Sequence, residues 1–144
     1  TTPAMAHQTS VQNPPVGRHD ERGASLSALV APVMLAIFLV AGLVVDGGAQ
    51  TQAHRRAQVV AAHAVRSGSD ASAAGRLVGA DGTAPALATA RAVLADEGID
   101  GQVTMEYGVL TVTTNTWSET TFLGLLGVHR LEAHGRASAE LRAV

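Results

Sequence analysis

Six histidines, one acid at the end of an apolar run and a single indole are the side chains that could do chemistry here. His54 and His63 are nine residues apart, about 900° around a helix, so they face opposite ways. His129 and His134 are five apart, so on one strand they fall on opposite faces. His7 and His19 sit in the Pro-, Gln-, Asn- and Thr-containing start of the chain. No spacing among them predicts a metal site, and no cofactor is expected. GxSxG, HExxH, a P-loop and GxGxxG after a strand are all missing from the sequence. There is no Cys, which removes thiol chemistry and disulfides. The expectation is a protein without catalysis and without a small-molecule substrate.

The remaining polar groups read as structural. Asp46 stands at the edge of an apolar run rather than in its middle, which suits an interfacial acid better than a proton relay. His54-Arg55-Arg56 is too small a basic patch for nucleic acid, and net charge is −2, so no nucleic-acid partner is expected. That triplet reads as a solvated helix face or a headgroup contact. Trp117 reads as a core or rim residue beside a hairpin.

These residues must be positioned by a chain of 144 residues, 47 % apolar and only 15 % charged, enough for one small domain. No charge occurs between Arg22 and Asp46, which mark the two ends of the expected span. Residues 26–45 make about 30 Å of helix, the thickness of a hydrocarbon core, so a lipid bilayer is the first partner expected. A buried core helix is the alternative, but the rest of the chain offers too little apolar mass to surround it. A cleaved secretory signal is another, but the run is too long and Asp46 interrupts the site that would follow. Arg18 and Arg22 on one side balance Arg55 and Arg56 on the other, so the charges do not choose a topology.

Beyond Asp46, Ala49, Ala53, Ala57, Val60, Ala61 and Ala64 recur at helical spacing as a stripe of small residues. One helix over 24–67 is predicted, with Gly68 as its stop and Gly47-Gly48 as the place where it could kink. A short helix over about 71–78 ends at Gly79, and another opens at Thr83-Pro85 and stops at Gly98 with Leu87, Ala90 and Leu94 on one face. Residues 102–107 and 109–115 form a hairpin turning at Tyr107-Gly108, with Met105 opposite Leu110 and Val103 opposite Val112. Residues 130–142 alternate polar and apolar without a fault and form a strand whose small inward residues suit a sheet lying on an Ala-rich helix. The uncharged stretch TTFLGLLGV, 120–128, is too short to span a bilayer. Either it caps the apolar face of the sheet, or Phe122, Leu123, Leu125 and Leu126 form a patch for the membrane or a partner subunit.

DERGASLSALVAPVMLAIFLVAGLVVDGGAQTQAHRRAQVVAAHAVRSG resembles the N-terminal region of actinobacterial TadE/TadG-like proteins of tight-adherence (Flp-type) pilus assembly. ARAVLADEGI, GQVTMEYGVLTVTT and FLGLLGVHRLEAHGRASAEL resemble that group's helix, hairpin, apolar turn and final strand, so the likeness covers about residues 20–142. The resemblance implies a single-pass cell-membrane protein with its N-terminus in the cytoplasm and its C-terminal part outside. It also implies a pilin-like α+β architecture: a long transmembrane helix carrying a head of short helices and about three antiparallel strands. The expected organisation is a disordered cytoplasmic leader over 1–23, the helix over 24–67 and the head over 68–144. Some relatives are cut after a Gly before the apolar segment; here the matching residues are Gly23 and Ala24. Prepilin-like members often carry Glu five residues after the cut, where this chain has Ala28. The implied partners are other pilus or secretion-system subunits, or further copies of the chain. A signal-anchored extracytoplasmic binding module unrelated to pili is the competing expectation.

Overall fold

The structure, a computed structural model, describes residues 21–141, with side chains from Ala28 onward. The expected leader, with His7 and His19, falls mostly outside the described residues. Arg22, Gly23 and Ala24 lie in the first turns of the N-terminal helix, and their side chains are likewise outside.

The fold is α+β. Helix α1 runs Glu21–Leu77 and contributes to both compact units of the chain, one ending at Ala36 and the other beginning at Ile37. Among residues 28–45 only Gly42 is buried, so the long apolar side chains of this stretch face no protein. It is a helix long and apolar enough to cross a membrane, and the buried-core alternative does not describe it.

Two expectations about α1 need correction. The helix does not stop at Gly68, and no separate short helix starts after Ser69-Asp70: α1 continues ten residues past 67, to Leu77. Gly68 is needed for packing, not for a stop. A Cβ there would meet Leu110 Cδ2 at 2.7 Å and the Ala86 carbonyl oxygen at 2.9 Å. The Ser69 hydroxyl donates back to the Val65 carbonyl at 2.8 Å instead of capping a new helix. The helix also passes through Gly47-Gly48 without a break. Its true end is at Gly79 (φ +76°), where the Ala80 amide reaches the Gly75 carbonyl.

Helix α2 spans Thr83–Glu97. Asp81 starts it by accepting from the Thr83 amide at 3.0 Å and the Thr83 hydroxyl at 2.9 Å, which holds its carboxyl below the ordinary range. Gly98, in the left-handed region, ends it as expected. Strands β1 (Asp100–Glu106), β2 (Val109–Glu119) and β3 (Arg130–Glu140) form an antiparallel meander in the order β1-β2-β3. Tyr107 (φ 50°) and Gly108 (φ 79°) both lie in the left-handed region, the geometry of a two-residue hairpin turn that follows strand twist. Met105 pairs with Leu110 and Val103 with Val112, the register read from the alternation.

The core of the second unit lies between one face of the sheet and the two helices. Val60, Ala61, Ala64 and Val65 of α1 meet Ala86, Ala90 and Leu94 of α2 and Ile99, Val103, Leu110 and Val112 of the sheet. The small stripe is what permits this. Gly135 of β3 lies on the backbone of Ala57, where no side chain fits between them. The stripe is buried from Ala57 through Val60 to Ala64, but Ala53 is only half-buried and Ala49 is exposed, where α1 and β2 leave an open groove lined by Thr116, Trp117 and Ser118.

Candidate functional site

β2 runs back along α1, and three contacts fix its register. Leu110 lies against Gly68, the Thr114 hydroxyl donates to the Ala57 carbonyl at 2.9 Å, and the residues after β2 reach Asp46. From Gly68 to Gly42 is about 39 Å of helix, and the 12 steps from Leu110 to Phe122 cover about 40 Å of extended chain. The strand therefore delivers the segment 120–128 to the end of the apolar run.

There the segment is tied to α1. The Thr121 amide donates to Asp46 Oδ1 at 2.8 Å, and the Phe122 and Leu123 amides donate to Oδ2 at 3.0 and 2.7 Å. These amides lead into and open the 3₁₀ turn Leu123–Leu126, so the carboxylate sits where a helical turn presents unpaired N–H groups. Asp46 is 2 % exposed. The Leu123 amide foremost, working against the cost of burial, and the Thr121 and Phe122 amides hold its carboxyl below the ordinary carboxylate range. One helical turn earlier, the Phe122 ring lies on Gly42; a Cβ at Gly42 would come within 2.6 Å of the ring. Gly42 and Asp46 are four apart, hence on one face of α1.

This changes the reading of two predicted residue sets. Asp46 is not simply an exposed acid at a water boundary: it is a buried acceptor filled by three amides. The segment 120–128 does not cap the apolar face of the sheet, which α1 and α2 already cover. It stands against α1, with Leu125 83 % and Leu126 74 % exposed, Phe122 and Val128 less so, and Leu123 half-buried.

A second feature was not visible in the sequence. Gln50, His54 and Gln58, spaced four apart on α1, meet the backbone of Glu132, His134 and Arg136, spaced two apart on β3. Gln50 Nε2 donates to the Glu132 carbonyl at 2.7 Å. His54 Nδ1 lies 3.3 Å from both the amide and the carbonyl of His134. Gln58 Nε2 donates to the Arg136 carbonyl at 2.7 Å, and the Arg136 amide donates to Gln58 Oε1 at 3.1 Å. Four helical residues rise about 6 Å and two strand residues about 6.7 Å, so the two rows stay nearly in step. The α1 side chains thus occupy the outer edge of β3.

Of the other predicted groups, Arg56 donates to the Glu97 carbonyl at the end of α2, and Arg55 is exposed. Trp117, half exposed, is a rim residue of an open groove shared with Gly48, Ala49, Ala53 and Arg56. His134 and Glu132 approach to 3.5 Å on the exposed sheet face. Among the described residues no group of three or more His, Asp or Glu side chains is placed to hold a metal ion. No protein-family model, curated protein or solved structure matches the chain.

Proposed function

We propose that this protein is a non-enzymatic, membrane-anchored, pilin-like or accessory subunit of a tight-adherence (Flp-type) pilus or a related secretion system. It acts by helix packing and protein–protein contacts. The observation that carries the reading is α1 itself: one unbroken helix whose apolar stretch is unburied and whose later turns, from Ala57, become the core partner of a small α+β unit. An apolar stretch this long with no protein around it needs lipid. The order of elements along the chain agrees with that expected from the TadE/TadG-like resemblance. The N-terminus is cytoplasmic and the sheet-bearing part extracytoplasmic in this reading, with the bilayer and other subunits, or further copies, as partners.

The test is mild cross-linking in native membranes, followed by identification of the captured chains. Capture of a secretion ATPase's membrane platform, of pilin subunits or of the chain itself as a multimer is the expected result. Consistent recovery of the uncomplexed chain, with a small molecule retained on its exposed sheet face, would establish the tethered binding module instead.

A further inference from the structure

From the way 120–128 is mounted on α1, we infer that this loop is a second membrane contact: Phe122, Leu125, Leu126 and Val128 enter the lipid boundary beside α1. The inference rests on the membrane-spanning reading of α1 and adds that the sheet-bearing unit touches the same bilayer.

Position comes first. Asp46 is the residue after Val45, the last of the apolar run, and Phe122 lies on Gly42, inside that run. Gly42 is about 6 Å of helix before Asp46, and apolar faces that lie in a membrane interface sink about 5–10 Å. A bilayer surrounding residues 26–45 therefore already reaches Phe122. No second protein has to be supplied for the loop to meet lipid.

Composition and exposure agree. The stretch from Thr120 to Val128 carries no charge; beyond it stand His129 and the charged pair Glu119 and Arg130, which face each other across the β2–β3 pair. Leu125 and Leu126 are the most exposed of its large apolar side chains, at 83 % and 74 %. Neither leucine belongs to the apolar core or packs against it.

The backbone is the third observation. A loop entering lipid must satisfy its own polar groups, because nothing there replaces water. The amides of Thr121, Phe122 and Leu123 end on Asp46. Those of Thr120, Leu125, Gly127 and Val128 end on the carbonyls of His129, Phe122, Gly124 and Leu123. The Thr120 hydroxyl closes the base of the loop on the Val128 carbonyl. The Asp46 charge is screened from lipid by the amides that it binds.

The chain has no Cys, so single substitutions can each carry one nitroxide label. Labels at Leu125→Cys, Leu126→Cys, Leu39→Cys and Tyr107→Cys are compared in full-length protein in phosphatidylcholine/phosphatidylglycerol vesicles. Tyr107 is the exposed tip of the β1–β2 hairpin, at the far end of β2. Collisions with oxygen, which concentrates in lipid, and with a water-soluble nickel chelate report each label's surroundings. The expected result is that the Leu125 and Leu126 labels follow Leu39, with chelate collisions several-fold below those of Tyr107. Chelate access equal to that of Tyr107 would overturn the inference, with the loop in water. Shielding from both reagents would also overturn it, in favour of a covering protein surface. If Leu39 itself is open to the chelate, the membrane-spanning reading has failed and the inference falls with it; lipid-facing Leu39 with water-facing Leu125 refutes the loop alone.

Discussion

At the scale of single residues, Asp46 has the most to lose. Asp46→Ala leaves the Thr121, Phe122 and Leu123 amides without their acceptor, and an unpaired buried donor is costly. Hydrogen exchange at those three amides should accelerate by an order of magnitude or more, while the Thr111 and Val112 amides of the central strand stay protected. Unchanged exchange at all three would refute the anchoring role. The same bonds set a pH dependence. Because the folded-state value is lowered, the stabilisation is complete above the unfolded value of 3.8 and is lost as pH falls from there through the depressed folded value. Loop exchange should therefore be steady down to about pH 5 after correction for intrinsic rates, and should rise at lower pH. Gly135 is the second such position. Any side chain there strikes the Ala57 backbone, which cannot rotate away as a side-chain tip can. Gly135→Val should cost about 1–3 kcal/mol or more, read as a lowered thermal midpoint.

At the scale of elements, the relation between α1 and β3 explains how a three-stranded sheet avoids offering one of its edges. Without the Gln50–His54–Gln58 row, the outward amides and carbonyls of Glu132, His134 and Arg136 would invite another strand. Gln58→Ala removes both bonds to Arg136. It should cost about 1 kcal/mol and raise the tendency to self-associate through β3, measured by denaturant unfolding and by sedimentation. A variant with unchanged association state and unchanged stability would show that the row contributes nothing. The neighbouring relation, β2 against α1, works by length. A strand advances a little over twice as far per residue as a helix, so eleven residues of β2 and three more carry the chain from near the end of α1's packing stripe to Asp46. An insertion in β2 would move the apolar loop along α1 and separate its amides from the carboxylate.

At the scale of the whole molecule, the proposed anchor depends on an uninterrupted apolar stretch. Leu39 lies near its middle and is exposed. Leu39→Arg adds a charge that costs about 2.5–3.5 kcal/mol at the centre of a membrane helix. Retention in carbonate-washed membranes should be lost or sharply reduced, and normal retention would defeat the anchor. The intact mass and first residue of the native protein address the other end. A start at Ala24 makes a filament subunit the leading form of the proposal, whereas a chain retaining Arg18 and Arg22 favours a permanently tethered assembly factor.

The local pattern carried much of the architecture. The alternation over 130–142 predicted the strand observed as Arg130–Glu140, Tyr107-Gly108 set the hairpin and its register, and the charge-free run marked the exposed apolar stretch of α1. These features follow from periods of two and 3.6 and from turn residues, all of which act between near neighbours. The same rules failed at Gly68. A glycine reads as a stop when only its neighbours are considered, and as a seat for Leu110 once β2 arrives. The functional surface was harder to see because its partners are far apart in sequence. Asp46 is separated from Thr121 by 75 residues, and Gln58 from Arg136 by 78. Gly42 and Asp46 do extend the small-residue face of α1 at a spacing of four, the one signal that something lies against the end of the apolar run. Which segment lies there depends on the length of β2 and on which face of α1 the sheet covers. Those are properties of the assembled fold, and they are why the same Asp46 reads as a boundary marker in one dimension and as the anchor of a loop in three.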